Sequence, residues 1–230
     1  MEQDFNYAQR VIAKKQQQPF INQTTLVYEL LRDDVIFGYR KLGSKINQDQ
    51  LAKVLNVSRS PIREAINRLI KESILIKRGD RSYYVYIPTI KDITYASEFR
   101  TALEVSAMQL AMKRVSSQDI NCLRRNINEQ EKCKPQDKNR IITLDLEFHD
   151  CLVACSKSKY IVQSYRRYAT HFRHLRYRIS SLHLQETILS QHKDILLALE
   201  EKDIARLEKL LIMHLNTAED FMQAPEYHYE

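Results

Sequence analysis

The stretch Asn56-Val57-Ser58-Arg59-Ser60-Pro61-Ile62-Arg63-Glu64-Ala65-Ile66-Asn67-Arg68-Leu69 constrains this chain more than any other. It reads as a turn followed by a short helix with two faces. Ile62, Ile66 and Leu69 recur at i, i+4 and i+7 and form an apolar stripe for packing. Arg59, Arg63 and Asn67 repeat every four residues on a different face, with Ser60 beside the first. A helix of this kind buries one side in its own domain and offers forked donors on the other, which is what entry into a DNA major groove requires. Asn56 stands where the chain must turn sharply, and Asn tolerates the left-handed conformation second best to Gly. Ser58 is the expected cap, and Pro61 is acceptable in the first turn, where the N–H groups lack intrahelical partners.

The flanking segments complete a small domain. The pattern predicts a helix capped by Thr24 or Thr25 and running to about Phe37, with Leu26, Leu30 and Ile36 inward and Gly38 at its stop. Residues 39–46 read as a connection, and 47–55 as a second helix with Leu51, Val54 and Leu55 inward. Ile74-Leu75-Ile76 and Tyr83 to Ile87 are β-rich and flank a basic tip, Lys77 to Ser82, which makes a hairpin, or wing. Tyr7 to Gln18 can form a helix that Pro19 ends, so residues 1–23 read as an N-terminal extension and 24–88 as a winged helix-turn-helix. Beyond Pro88 and Thr89 the pattern is helical, at about 92–114, 117–134, 139–155, 159–180, 186–200 and 203–222. Ser116-Ser117-Gln118-Asp119 resembles a capping box. Residues 89–225 are expected to form an all-α antiparallel bundle for effector binding and dimerisation. The fold class is therefore mainly α with one small hairpin, consistent with only 3 Gly and 5 Pro.

Charge follows the same division. Residues 1–88 hold 15 Lys and Arg against 9 Asp and Glu, whereas residues 89–230 hold 21 against 20, so nearly all of the net +7 lies upstream. A basic domain joined to a neutral one fits nucleic-acid binding by the first. No window approaches the 18 or so consecutive apolar residues of a membrane span, and no membrane partner is expected. Residues 1–15 lack the apolar core of a secretion signal. Cys122, Cys133, Cys151 and Cys155 show no CxxC spacing and read as reduced thiols, so a cytoplasmic location is expected.

Leu51-Ala52 followed by Leu55-Asn56-Val57-Ser58-Arg59-Ser60-Pro61-Ile62-Arg63-Glu64-Ala65 closely resembles the signature of GntR-type bacterial transcription factors. Phe99-Arg100-Thr101-Ala102-Leu103-Glu104 resembles the segment that opens the effector domain of the FadR-like (FCD) branch. Asp145-Leu146-Glu147-Phe148-His149 resembles its D..FH motif, and His192 and His214 match its two later histidines. The resemblance spans about residues 24–222. Asn56 departs from the family's usual Gly, and Ser73 stands where a Gly commonly ends the recognition helix. Asp49 occupies a position where some members carry a DNA-contacting Arg; an acid does not favour a phosphate, so that role is not carried over.

The resemblance implies DNA contacts from Arg59 and Arg63, less strongly from Ser60 and Asn67, and from a wing in which Gly79 permits close backbone approach with Arg78 or Arg81 beside it. Asp145 and His149 are i, i+4 on one helix face, and His192 and His214 come from later helices. Three imidazoles and a carboxylate suit Zn²⁺, Ni²⁺, Mn²⁺ or Fe²⁺, and the family's metal-binding branch uses four such residues in this order. The family commonly binds small carboxylates or sugar acids at that place. Arg100 is implied as an anion holder, with Arg173, His174 and Tyr177 as candidates for the effector wall. The leading reading is a dimeric, ligand-responsive regulator on a palindromic DNA operator, with no catalytic residues. A metal sensor needing no organic effector is a second reading. A metalloenzyme using Asp145 and the three histidines is a third, disfavoured because Glu147 points off the Asp145–His149 face and no enzyme explains the basic winged helix.

Overall fold

The computed structural model describes residues 6–80, 82–179 and 182–223, with side chains described except at 90, 93, 170–184 and beyond 217. The chain divides into two compact units between Ile87 and Pro88. The first contains α1 (Tyr7–Gln17), α2 (Gln23–Ile36), β1 (Lys45–Ile46), α3 (Gln48–Leu55), α4 (Arg59–Lys71), β2 (Leu75–Arg78) and β3 (Ser82–Val85). The second contains α5 (Ile90–Arg114), α6 (Ser117–Glu131), α7 (Lys138–Ala154), α8 (Lys159–Ile179), α9 (Leu182–Glu200) and α10 (Ile204–Gln223). The fold is thus mainly helical with one small antiparallel sheet. No helix among the described residues is long and apolar enough to cross a membrane.

In the first unit the apolar stripe of α4 does what its spacing requires. Ile62, Ile66 and Leu69 are fully buried with Val27, Leu30 and Leu31 of α2 in one core. Each such side chain stabilises the fold by about 1.5–3 kcal/mol relative to exposure. Asn56 ends α3 at φ 51, ψ 50, the left-handed turn its side chain tolerates. The hairpin pairs Leu75 with Val85 and Arg78 with Ser82. Gly79 turns its tip at φ +65, a conformation that disfavours any side chain.

Four local expectations are corrected. The cap of α2 is Asn22, not Thr24 or Thr25: its side chain accepts from the Thr25 N–H at 2.8 Å. Its extended backbone, φ -75 and ψ 159, is what lets that oxygen reach back. Val54 is 47% exposed rather than inward, because the buried stripe of α3 runs through Leu51, Ala52 and Leu55. Residues 39–46 are more than a connection, since Lys45 and Ile46 form β1, which pairs with β3 and sets the sheet order β1-β3-β2.

The fourth correction concerns the segment read as an extension. It carries α1, whose Tyr7 is buried in the first core. Its anchor is Asp34 of α2, fully buried, which accepts from the Tyr7 hydroxyl, from Arg10 and from Arg40. Burial and the neighbouring carboxylate push the Tyr7 hydroxyl well above its ordinary range, so it remains a donor to Asp34.

The helices of the second unit start where the side chains dictate. Thr89 and Asp92 form a capping box that opens α5, with Thr89 N–H to Asp92 at 2.7 Å. Ser116 and Asp119 form the expected box for α6. Asp203 accepts from the Arg206 N–H at 3.0 Å and opens α10 after a turn in which Lys202 takes φ 56. The bundle core gathers Met108, Leu123, Phe148, Leu152, Tyr165, Ile195, Leu199 and Leu211. Helix α5 packs on α7, α8 and α10, and α6 on α7 and α9. Helix α7 also packs on α8, and α9 on α10, so α5, α6, α8 and α10 all face α7 or α9, which carry three of the four candidate ligands described next.

Candidate functional site

Asp145, His149, His192 and His214 are all buried, and each offers a ligand atom within 4.8 Å of the others. Asp145 and His149 share a face of α7, His192 comes from α9 and His214 from α10. The Nε2 atoms of His149 and His214 are 2.9 Å apart, and His192 Nε2 lies 3.7 Å from Asp145 Oδ1. Phe148 stacks on His192 with centroids 3.9 Å apart, and His149 stacks on His214 at 4.9 Å, which sets the ring planes.

The opposite edge of each ring explains why the Nε2 atoms face inward. His149 Nδ1 is 2.8 Å from Glu104 Oε2, His192 Nδ1 is 3.0 Å from Gln130 Oε1, and His214 Nδ1 is 2.8 Å from Gln191 Oε1. All three partners are acceptors, so each Nδ1 carries a proton and donates it outward, and each ring turns its Nε2 to the common centre. The acceptors are themselves held. Gln130 donates to Asn126 at 2.6 Å, and Asn126 to the Leu144 carbonyl at 3.0 Å. Gln191 donates to Thr217 at 3.1 Å. Arg100 Nε donates to Glu104 at 2.7 Å. Burial pushes the Glu104 carboxyl up, but His149 and Arg100 beside it outweigh that and hold it below the usual carboxylate range.

Two neutral imidazole nitrogens cannot face each other at this distance without a proton or a cation between them. The donor set fits a cation. Ligands about 2.1 Å from a zinc-like ion lie roughly 3–4 Å apart, close to the separations seen here. Imidazole and carboxylate suit first-row divalent ions.

Arg100 is buried on α5 and committed through Nε to Glu104, which makes it a support of His149 as well as a candidate anion holder. The side chains of Arg173, His174 and Tyr177 lie outside the described residues. Glu104, Gln130 and Gln191 were not singled out as site residues from the sequence. Two had a signal: Glu104 lies four residues after Arg100 in the motif that opens the bundle, and Gln191 adjoins His192. Gln130 has none, since it adjoins none of the four candidate ligands in the chain and meets His192 from 62 positions away.

The first unit presents a different kind of surface. Arg59, Ser60, Arg63 and Asn67 are all exposed on α4. Ser60 donates to Glu64 at 3.3 Å, and Glu64 accepts from Thr24 at 3.0 Å, tying α4 to the start of α2. Arg59 pairs with Asp49 at 2.8 Å. On the wing, the Arg78 guanidinium sits 5.5 Å from the centre of the Tyr84 ring. Arg81 lies outside the described residues.

An exposed basic helix following a helix and a turn, a hairpin wing, and a helical bundle with a buried Asp/His centre together define a winged-helix regulator with a second, helical domain. The chain belongs to the gntR family of bacterial regulatory proteins: that family's model matches residues 23–85, and the FCD domain model matches residues 96–217. It is 31% identical over 195 residues to the uncharacterized HTH-type transcriptional regulator YdhC of Bacillus subtilis, covering 82% of this chain and 86% of that protein. It is 24% identical over 192 residues to the HTH-type transcriptional repressor RspR of Escherichia coli, covering 82% and 84%. Among solved structures, a GntR-type putative regulator from Rhodococcus sp. RHA1 shares the fold with a TM-score of 0.75 at 24% identity, over 87% of this chain and 98% of that one. The protein is thus a transcriptional regulator of the GntR/FCD type.

Proposed function

We propose that this regulator binds a palindromic DNA operator as a homodimer and responds to a small carboxylate or sugar acid taken up at a divalent metal in its helical bundle. Arg59 and Arg63 contact bases or adjacent phosphates, aided by Ser60 and Asn67, while Arg78, Gly79 and Arg81 serve the wing. One recognition helix spans too few bases for specificity, and a two-fold dimer doubles the site. Asp145, His149, His192 and His214 hold the ion, which is Zn²⁺, Ni²⁺, Mn²⁺ or Fe²⁺. When bound, it supplies a Lewis-acidic centre with one or two positions left for water or an effector carboxylate. Arg100 places a cationic group next to that centre, and Arg173, His174 and Tyr177 belong to the proposed effector wall.

The observation that carries this reading is the set of three Nδ1–H donors anchored on Glu104, Gln130 and Gln191, which turns three Nε2 lone pairs and one carboxylate on a common centre. Supporting acceptors of this kind fix ring orientation and raise ligand basicity at metal sites. A metalloenzyme would need a free base beside the ion. Glu147 is exposed on the outer side of α7, and Glu104 is committed to His149 and Arg100.

The test is elemental analysis of purified wild type and His214→Ala, together with DNA titrations with and without chelator. About one divalent ion per wild-type chain is expected, less in the variant, with DNA binding retained by the variant. Wild type that neither carries nor takes up zinc, nickel, manganese or iron would reduce the four residues to a proton-linked polar core. A DNA response to the ion alone, unchanged by added carboxylates, would establish the metal-sensor reading instead.

A further inference from the structure

A carboxylate stands beside the first residue of the proposed recognition helix. Asp49 is the second residue of α3 and Arg59 the first of α4, so the two helix starts meet at this pair, with Asp49 Oδ1 2.8 Å from Arg59 Nη2. Both side chains project from the unit: Arg59 is 77% exposed and Asp49 70%. The shallow recess around them is lined by Asn47, Gln50, Ala52 and Lys53 as well. Asn47 caps α3 by accepting from the Asp49 and Gln50 N–H groups, which fixes the backbone from which Asp49 departs.

Stability is a weak reason for this arrangement. Exposed ion pairs contribute little, and an acid in the first turn of α3 gains only a modest interaction with the helix dipole. Against DNA the same carboxylate is unfavourable near phosphates, where binding rests on cation–phosphate attraction. A carboxylate can, however, accept from an exocyclic base amine in the major groove, and an arginine fork suits guanine O6 and N7. Nη2 carries two protons. The guanidinium has five N–H donors and one carboxylate beside it, so donors remain for a base next to the pair. The pair therefore sets an acceptor and a forked donor side by side with no net charge.

We infer that Asp49 is a specificity-determining residue: paired with Arg59 across α3 and α4, it accepts from the amine of a cytosine or adenine adjacent to the guanine that Arg59 reads. This rests on the reading of α4 as the DNA-facing helix. It assigns two bases per half-site to two side chains, and it gives Asp49 a discriminating role at a position where its charge lowers non-specific affinity.

The experiment is selection of duplexes from a library with a randomised segment, using full-length wild type, Asp49→Ala, Asp49→Asn, Arg59→Ala and Arg63→Ala, each checked for folding by circular dichroism. Titrations of the selected and single-base-changed duplexes then follow at several salt concentrations. Asp49→Ala is expected to lose preference at one position per half-site, where discrimination falls about 5- to 150-fold. Its non-specific affinity rises and its salt dependence steepens by about one phosphate contact. Asp49→Asn is expected to shift that position towards adenine, because an amide pairs with adenine N6 and N7. The inference is overturned if Asp49→Ala selects the wild-type motif with affinity changed uniformly for all duplexes while Arg59→Ala and Arg63→Ala alter the motif. If the two arginine variants also leave the motif intact, or wild type selects no duplex, the assignment of the recognition face fails and Asp49 falls with it.

Discussion

On α4 the side chains proposed to meet DNA stand in solvent, and apart from the Arg59–Asp49 pair and the Ser60–Glu64 hydrogen bond they owe little to one another. In the bundle His149 and His192 are fully buried and Asp145 and His214 nearly so, and each ring is held by a residue from elsewhere in the fold. The first arrangement is a surface laid on a finished core. The second is part of the core, with polar groups that need one another to be buried at all. Substitutions on α4 should therefore change affinity and leave stability alone, whereas substitutions around the histidines should change both.

The sharpest challenge to that contrast lies inside the first unit, which has a buried charge cluster of its own. Asp34→Ala leaves Arg10, Arg40 and Tyr7 without their common acceptor and is expected to cost about 3–5 kcal/mol, read by denaturant unfolding. A loss well under 1 kcal/mol would show that α1 is dispensable to this core. In the bundle, Glu104→Gln removes the charge behind His149 while keeping the shape. Metal affinity is expected to fall by about 10- to 100-fold, measured by competition with a chromophoric chelator; unchanged affinity would mean that the His149 ring is positioned by packing alone.

Arg63 tests the other side of the comparison. It is exposed and makes no ion pair among the described residues, so Arg63→Ala should cost about 1–3 kcal/mol in operator binding with the melting temperature unmoved. A lowered melting temperature would break the separation of surface site from core. The smallest effect concerns backbone. Ser73 takes φ 52 just after α4, a left-handed conformation in which a glycine carries no steric penalty. Ser73→Gly is expected to raise stability by up to about 1 kcal/mol, seen as a higher denaturation midpoint with the selected DNA motif unchanged.

Periodicity alone placed the apolar stripe of α4, the helices of the bundle and the shared face of Asp145 and His149, because each depends on residues within a few positions of one another. The capping box at Ser116 was legible for the same reason. Where several polar residues adjoin, as at Asn22, Thr24 and Thr25, composition cannot choose the cap; the backbone angles at Asn22 do. A two-residue strand such as Lys45–Ile46 has no period to read and exists only because β3 lies beside it.

What the sequence determined by itself is therefore local and chemical: a basic amphipathic helix after a left-handed turn, a wing, a run of long helices, and four candidate ligands in chain order. Tertiary structure decided what those residues face. It buried Tyr7 and Asp34 together and so joined α1 to the first core. It turned Val54 outward, and it brought Arg59 against Asp49. Above all it set Glu104, Gln130 and Gln191 behind three histidines from 23 to 62 positions away in the chain. All three hydrogen bonds join different helices, and their partners are fixed by packing, which no local pattern encodes.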